Sequence, residues 1–297
     1  MKAEIVDKIL LPEIPSASGI ELAGDQIFII GDDSQYLFLL NRNFQTINKI
    51  PLFDAKTNNE GKISKAEKPD LEALTIIVHQ DETYLLALGS GSVRELRDVA
   101  YLISLKDYSV TKISLLDFYD HLRETFNSLQ AGTLNIEGAL LYNQRIYLFH
   151  RGNITGKNIM VSIELDHLLR FTEIADTTSI LLQEVALPTL NELHAGFSGA
   201  CLIPGTSQAL FTASVENTPN AIDDGPSAGS YVGILDLSDK PAKVSDIQLL
   251  HDQELPFLKK VESITVLQQI NKNTLEAIAV CDEDVNPSWV LSLEITI

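Results

Sequence analysis

Glu72-Ala73-Leu74 is an acidic residue followed by a small one and then an apolar one, and the triplet decides the fold because it returns. Its other copies are Ser18-Gly19-Ile20, Glu137-Gly138-Ala139, Ser198-Gly199-Ala200 and Glu262-Ser263-Ile264, with Ser in place of Glu in two of them. From positions 18, 72, 137, 198 and 262 the steps are 54, 65, 61 and 64 residues. The tail after Glu262 and the head before Ser18 together supply one more near-period. A repeat of this length that tiles a chain and closes on itself predicts a radial array of small sheets. The expectation is an all-β, five-bladed β-propeller forming a single domain over residues 1–297.

The third repeat shows the grammar of a blade. Ile136–Leu141 reads as a strand, Asn143-Gln144 as a turn, Arg145–His150 as a second strand and Asn158–Leu165 as a third, with a fourth near Ser179–Leu187. β-Branched and aromatic residues between Gly and Asn breakers are the strand-and-turn signal. The fifth repeat provides only Val261–Leu267, Leu275–Cys281 and Trp289–Ile295, one strand short. Lys2–Ile9 precedes the first repeat and is predicted to pair beside Trp289–Ile295, closing the ring and removing an open edge. Three segments depart from the pattern. Leu116–Gln130 spaces Leu116, Phe118, Leu122, Phe126 and Leu129 as an amphipathic helix capping blade two or three. Asp54–Lys68 reads as a mobile polar loop, and Glu216–Gly229 as a long loop on the upper face.

The 41 acidic and 22 basic residues leave a formal charge of −19. Such a surface repels phosphate backbones and anionic lipid, which argues against nucleic acid and membrane as partners and suits cations and cationic or neutral ligands. Cys201 and Cys281 are expected as free thiols on strands, a disulfide between blades four and five being the alternative. No apolar run approaches the ~18 residues that would span a bilayer. Met1–Lys8 lacks the apolar core of a signal peptide, so a cytoplasmic protein is expected, or a periplasmic one if a signal has been removed.

In a propeller the first strand of each blade lines the axis, and the loop from second to third strand returns to the end where the first began. The repeated Glu and Ser residues should therefore converge with five polar loops on one face. These are Gly31-Asp32-Asp33-Ser34, Gly89-Ser90-Gly91-Ser92, His150-Arg151-Gly152-Asn153, Ser214-Val215-Glu216-Asn217 and Cys281-Asp282-Glu283-Asp284. Glu72, Glu137 and Glu262 would form a ring with Ser18 and Ser198, with Asp32, Glu216 and Asp282 just outside. Carboxylates crowded in a narrow channel need a bound metal, a buried Arg or Lys, or a raised pKa suited to acid–base work. The metal reading assigns Glu72, Glu137, Glu262 and Asp282 to a divalent cation, calcium above all, since hard cations take oxygen ligands. The catalytic reading assigns Glu137, His150 and Arg151, one blade's acid, proton shuttle and fixed positive charge. Ser90 in its Gly-Ser-Gly-Ser turn, helped by Arg94 and Arg97, would cradle an anion or hydroxyl. The structural alternative makes the repeated Glu a latch that accepts backbone hydrogen bonds from the next blade.

Lys68-Pro69-Asp70-Leu71-Glu72-Ala73-Leu74-Thr75 and Asn135-Ile136-Glu137-Gly138-Ala139 resemble the strand starts of phytase-like propellers. Ser18-Gly19-Ile20 with Gly31-Asp32-Asp33-Ser34 looks like their opening blade. The chain is most similar to an uncharacterised bacterial propeller family common in Bacteroidetes. The phytase-like resemblance implies calcium in an acidic channel and hydrolysis of phosphoesters or esters. This chain departs from it in counting five blades rather than six and in lacking a basic cluster beyond Arg94, Arg97, Arg151 and Lys260. Glu72, Glu137 and Glu262 also resemble the acidic trio of five-bladed glycosidases. Two classes of function stand open. One is a hydrolase of a small molecule, carbohydrate or phosphoester. The other is a non-catalytic ligand- or protein-binding module.

Overall fold

A computed structural model describes residues 1–174, 176–218, 225–282 and 287–297, at 174 for the backbone only. Its sheets form the five-bladed ring that the repeat predicts. Blade one is Ala17–Ala23, Gln26–Gly31, Tyr36–Leu40 and Thr46–Pro51. Blade two is Leu71–His79, Glu82–Gly89, Val99–Ser104 and Val110–Ser114. Blade three is Ile136–Tyr142, Arg145–His150, Asn158–Glu164 and Leu181–Val185. Blade four is Leu193–Leu202, Gln208–Glu216, Ser227–Asp236 and Lys243–Leu249, with the short strand Thr189–Leu190 added at its inner edge. Blade five is Lys260–Asn271, Thr274–Asp282 and Pro287–Thr296, completed from outside by Lys2–Pro15.

That first strand is longer than expected. It pairs antiparallel with the last from Lys2↔Thr296 through Leu10↔Trp289 to Pro15↔Pro287. Leu11 and Ile14 are buried with Ile278, Val280 and Val290 of blade five and Ile20, Ile27 and Ile29 of blade one. The segment therefore closes the ring twice, by ladder bonds and by filling the seam beyond it. The core as a whole lies in the seams. Five buried apolar clusters each join two consecutive blades, because every blade is flat and must bury both faces against its neighbours.

The helix Leu116–Leu129 fills the seam between blades two and three with Phe118, Tyr119, Leu122 and Phe126. Its buried stripe is shifted from the expected one, since Leu129 at its end is exposed and Tyr119 is buried. The Tyr119 hydroxyl donates to the Gly89 carbonyl at 2.8 Å, tying the helix to blade two. Residues 54–68, expected to be mobile, are instead docked on blade one. Ile63 is buried and its N–H donates to the Asp33 carbonyl at 2.8 Å, while Lys62 Nζ donates to Ser16 Oγ at 2.9 Å. The short helices Leu165–Leu169 and Phe171–Ile174 fall where the sequence reads as a strand connection. Cys201 and Cys281 are both free and buried. No helix among the described residues is long and apolar enough to cross a membrane.

Candidate functional site

The sequence triplet marks the same irregularity in all five blades. The pairing of the first strand with the second slips by one residue between Ala17 and Gly19, Leu71 and Ala73, Ile136 and Gly138, Phe197 and Gly199, and Val261 and Ser263. The extra residue is Ser18, Glu72, Glu137, Ser198 or Glu262. A β-bulge re-aims the side chain of its extra residue, so five polar groups are turned toward the upper mouth of the channel. The small residue that follows answers a steric demand. A Cβ on Gly199 would stand 2.6 Å from Ser263 Cα, and one on Gly138 would stand 3.1 Å from Gly199 Cα. Adjacent inner strands approach this closely at the axis, and only Gly, Ala or Ser fits.

The two serines serve the seams. Ser18 Oγ donates to the Leu71 carbonyl at 2.5 Å, and Ser198 Oγ to the Val261 carbonyl at 2.6 Å. Each latches its blade to the next, so the hydroxyls expected to face a ligand are committed to backbone. The three glutamates behave differently. Glu137 accepts from Asn135 Nδ2 at 2.6 Å and pairs with Arg151 Nη1 at 3.3 Å. Arg151 Nη2 pairs across the seam with Glu216 at 2.8 Å. Lys260 Nζ stands 2.9 Å from Glu262 and 3.6 Å from Glu216. Arg151 has room for this because Gly196 lies beneath it, where a Cβ would be 2.6 Å from Arg151 Cγ.

On the other side of the mouth Lys68 pairs with Asp32 and, at 3.0 Å, with Asp70. Asp70 also pairs with Arg97 Nη1 and accepts from Ser90 Oγ, both at 2.5 Å. Asp32, Asp70 and Glu72 each bring one oxygen within 4.8 Å of the others. Glu72 has no hydrogen-bond or ion-pair partner among the described residues. Burial, then the negative charges of Glu137, Asp70 and Asp32, push its carboxyl well above the usual range. Glu262 is pushed up by burial first and by Glu137, with Lys260 and Arg151 opposing. Lys68, Arg151 and Lys260 lose by burial and gain more from the surrounding carboxylates, so all three stay charged.

The mouth therefore gathers Asp32, Glu72, Ser90, Glu137, Arg151, Glu216 and Glu262 as the repeat predicts, but two expected members lie elsewhere. His150 is the last residue of the strand Arg145–His150, and Arg151 begins the connection beyond it. The His150 ring packs at a tilt of 58° against Phe126, 4.6 Å between centroids, and meets the Ala131 and Asn135 carbonyls at 3.3 and 3.2 Å. Burial in that seam lowers its pKa to about 4. It is seated against the helix rather than beside Glu137. Arg94 is exposed and paired with Asp120 at 2.9 Å on the outer helix, leaving Arg97 as the guanidinium near Ser90. The metal set drawn from sequence is split, with Glu137 and Glu262 on the Arg151–Lys260 side and Glu72 with Asp32 and Asp70. Asp282 sits opposite Lys260 in the blade-five ladder, and Glu283 and Asp284, like Asp223 and Asp224 of the long loop, lie outside the described residues.

Sequence reasoning gave no site role to Asp70 or Lys68, whereas Arg97 was expected beside Ser90 and is found there. One signal pointed to the first. The residue two places before each triplet is polar in four blades, Ser16, Asp70, Asn135 and Lys260, and glycine in the fourth.

A family of unknown function, DUF6929, matches residues 13–295, a span that takes in all five blades. The chain belongs to that family. No curated protein matches it. Among solved structures it is similar to the glutaminyl cyclase of Myxococcus xanthus, at 10% identity and a TM-score of 0.52, over 99% of this chain and 97% of that one. It is similar to the α-L-arabinofuranosidase of Podospora anserina in complex with cellotriose, at 11% identity and a TM-score of 0.52, over 96% and 92%. A bifunctional GH43-CE protein of Bacteroides eggerthii matches at 12% identity and a TM-score of 0.52, over 97% of this chain but 34% of that one. This DUF6929 chain thus spans about a third of the Bacteroides protein. Identities this low speak for the shared fold alone.

Proposed function

We propose that this DUF6929 protein is a hydrolase of a small uncharged substrate held at the upper mouth of the channel, with Glu72 as proton donor. The observation that carries the reading is the isolation of Glu72. It is the one triplet glutamate without a partner among the described residues, and its carboxyl is pushed well above the usual range beside the Arg151-paired Glu137. Two carboxyl groups with different environments are the arrangement that acid–base hydrolysis uses, and glycoside cleavage is the reaction that two carboxyls serve unaided. A carbohydrate is therefore favoured over a phosphoester, whose anion would meet a surplus of carboxylates. Calcium fits the donor set poorly, because the Lys68 ammonium already bridges Asp32 and Asp70. Arg151 acts here by holding Glu137.

The test is turnover of p-nitrophenyl glycosides, p-nitrophenyl acetate and p-nitrophenyl phosphate by the purified chain and by Glu72→Gln. Cleavage of a glycoside that Glu72→Gln abolishes, with an unchanged melting curve, is the expected result. Turnover that survives the substitution overturns the assignment. A second reading is favoured by the pairing of Glu137, Glu216 and Glu262 with Arg151 and Lys260, which fits a non-catalytic binding module. It predicts that a sugar raises the melting temperature while no substrate is cleaved.

A further inference from the structure

The channel has a lower end that the sequence motifs do not mark. Three residues beyond each bulged position lie Glu21, Thr75, Leu140, Cys201 and Thr265, one from each blade. All five line a cavity of about 440 Å³ that opens below, with Leu22, Leu202 and Gln268 at its wall. The ring has a polar and an apolar side, because blade order places Thr75 and Thr265 next to Glu21 and puts Leu140 and Cys201 across from it.

Apart from Glu72 at the upper mouth, Glu21 differs from every other buried acid among the described residues. Asp70, Asp98, Glu137, Glu216 and Glu262 each pair with a lysine or arginine. Glu21 has only neutral donors. The Leu22 N–H lies 3.2 Å and Thr265 Oγ1 3.3 Å from Oε2, and the Ile76 N–H and Thr75 hydroxyl complete the set. A buried carboxylate without a cation is costly, and this one faces a cavity large enough for a small molecule.

We propose that the lower mouth is a second binding site, independent of the upper one, for a small primary ammonium ligand with an apolar body. Its cation sits against Glu21 and its hydrocarbon lies along Leu140 and Cys201. Such a ligand supplies the charge that the protein withholds. Burial holds the Glu21 carboxyl at about 7, so it carries the charge that an ammonium needs from neutral pH upward. Cys201, the other titratable group facing it, is pushed up by burial and stays a thiol.

The experiment is calorimetric titration with n-hexylammonium chloride, with n-hexanol and hexanoate as the neutral and anionic counterparts. One hexylammonium per chain is expected, with affinity rising from pH 6 to pH 8 as Glu21 ionises. The affinity should fall by about tenfold or more in Glu21→Gln and for hexanol. Equal binding to Glu21→Gln would locate the amine elsewhere on this acidic surface and overturn the proposal. Equal binding of hexanol would reduce the cavity to an apolar pocket, and no heat at millimolar amine would dismiss the site. If Glu21→Gln does not fold, a flat pH profile in the unaltered protein refutes the proposal on its own.

Discussion

Arg151 Nη2 lies 2.8 Å from Glu216 Oε2, and through this contact blade three grips blade four directly above the axis. The same guanidinium holds Glu137, and both acids are almost fully buried. Removing one partner from a buried network leaves charge without compensation, which costs more than the network contributes while intact. Arg151→Met, chosen to keep most of the volume, should therefore destabilise the protein by roughly 3–5 kcal/mol. Urea denaturation followed by tryptophan fluorescence measures this. A loss within the range of an ordinary surface substitution would mean that the carboxylates are solvated rather than held by Arg151.

Two buried groups make stability depend on pH in opposite directions. Glu21 titrates at about 7 in the folded chain against 4.5 unfolded, so the native state binds the extra proton between those values. Stability contributed by that proton is present below the unfolded value and is lost as the pH rises through 7, by roughly 3 kcal/mol in all. His150 titrates at about 4 against 6.5, so the native state excludes a proton that the unfolded chain takes. Stability falls as the pH drops from 6.5 through 4, again by roughly 3 kcal/mol. The two windows overlap, so the contributions largely cancel between pH 4.5 and 6.5, and melting curves from pH 4 to pH 9 should show a flat top there with only shallow falls on either side. Glu21→Gln should remove the alkaline fall and unmask the full acid one, and an unchanged profile would refute the assignment.

Deleting residues 1–15 removes the outer strand of blade five and the Leu11–Ile14 contacts behind it. It exposes the edge of Pro287–Thr296, which presents unpaired backbone groups. The expected outcome is a melting temperature lower by roughly 5–10 °C, since several kcal/mol of ladder and packing are lost. Association in size-exclusion chromatography should accompany it. A monomer with the original melting point would show that the clasp is dispensable.

Gly199 tests the steric reason for the triplet. Its missing Cβ would lie 2.6 Å from Ser263 Cα and 2.7 Å from the Glu262 carbonyl oxygen, both backbone positions that cannot swing aside. Gly199→Ala should cost roughly 1–3 kcal/mol through forced separation of blades four and five. The control is Ala200→Gly in the same strand, which removes a buried methyl and opens no clash. Chemical denaturation of both separates overpacking from the general cost of a core change, and a neutral Gly199→Ala would disprove the close approach.

The blades were legible because a triplet dictated by geometry at the axis must recur wherever an inner strand passes it. The bulge was not, because an extra residue exists only relative to a partner strand, and nothing within Leu71-Glu72-Ala73 announces the slip. The clustering of Glu72, Glu137 and Glu262 followed from the same repeat, whereas the cations that meet them come from irregular places. Lys68 closes a loop that looks solvated by composition, yet Ile63 anchors that loop and carries Lys68 inward. His150 was drawn into the site by its nearness to Arg151 in sequence, but its ring lies in the seam against Phe126 and the Ala131 carbonyl. Glu21 escaped notice because its counterparts at the same depth are Thr, Leu, Cys and Thr, which form no pattern.

The pairing of Lys2–Pro15 with Pro287–Thr296 also sets a timetable. The first strand leaves the ribosome long before its partner is made, and at roughly 5–20 residues per second the interval is tens of seconds. During that time four blades can stack in order, each on the one before, while the opening segment has no sheet to join. Closure therefore waits for the fifth blade, and the nascent chain must keep Leu11 and Ile14 from other partners until Pro287–Thr296 arrives.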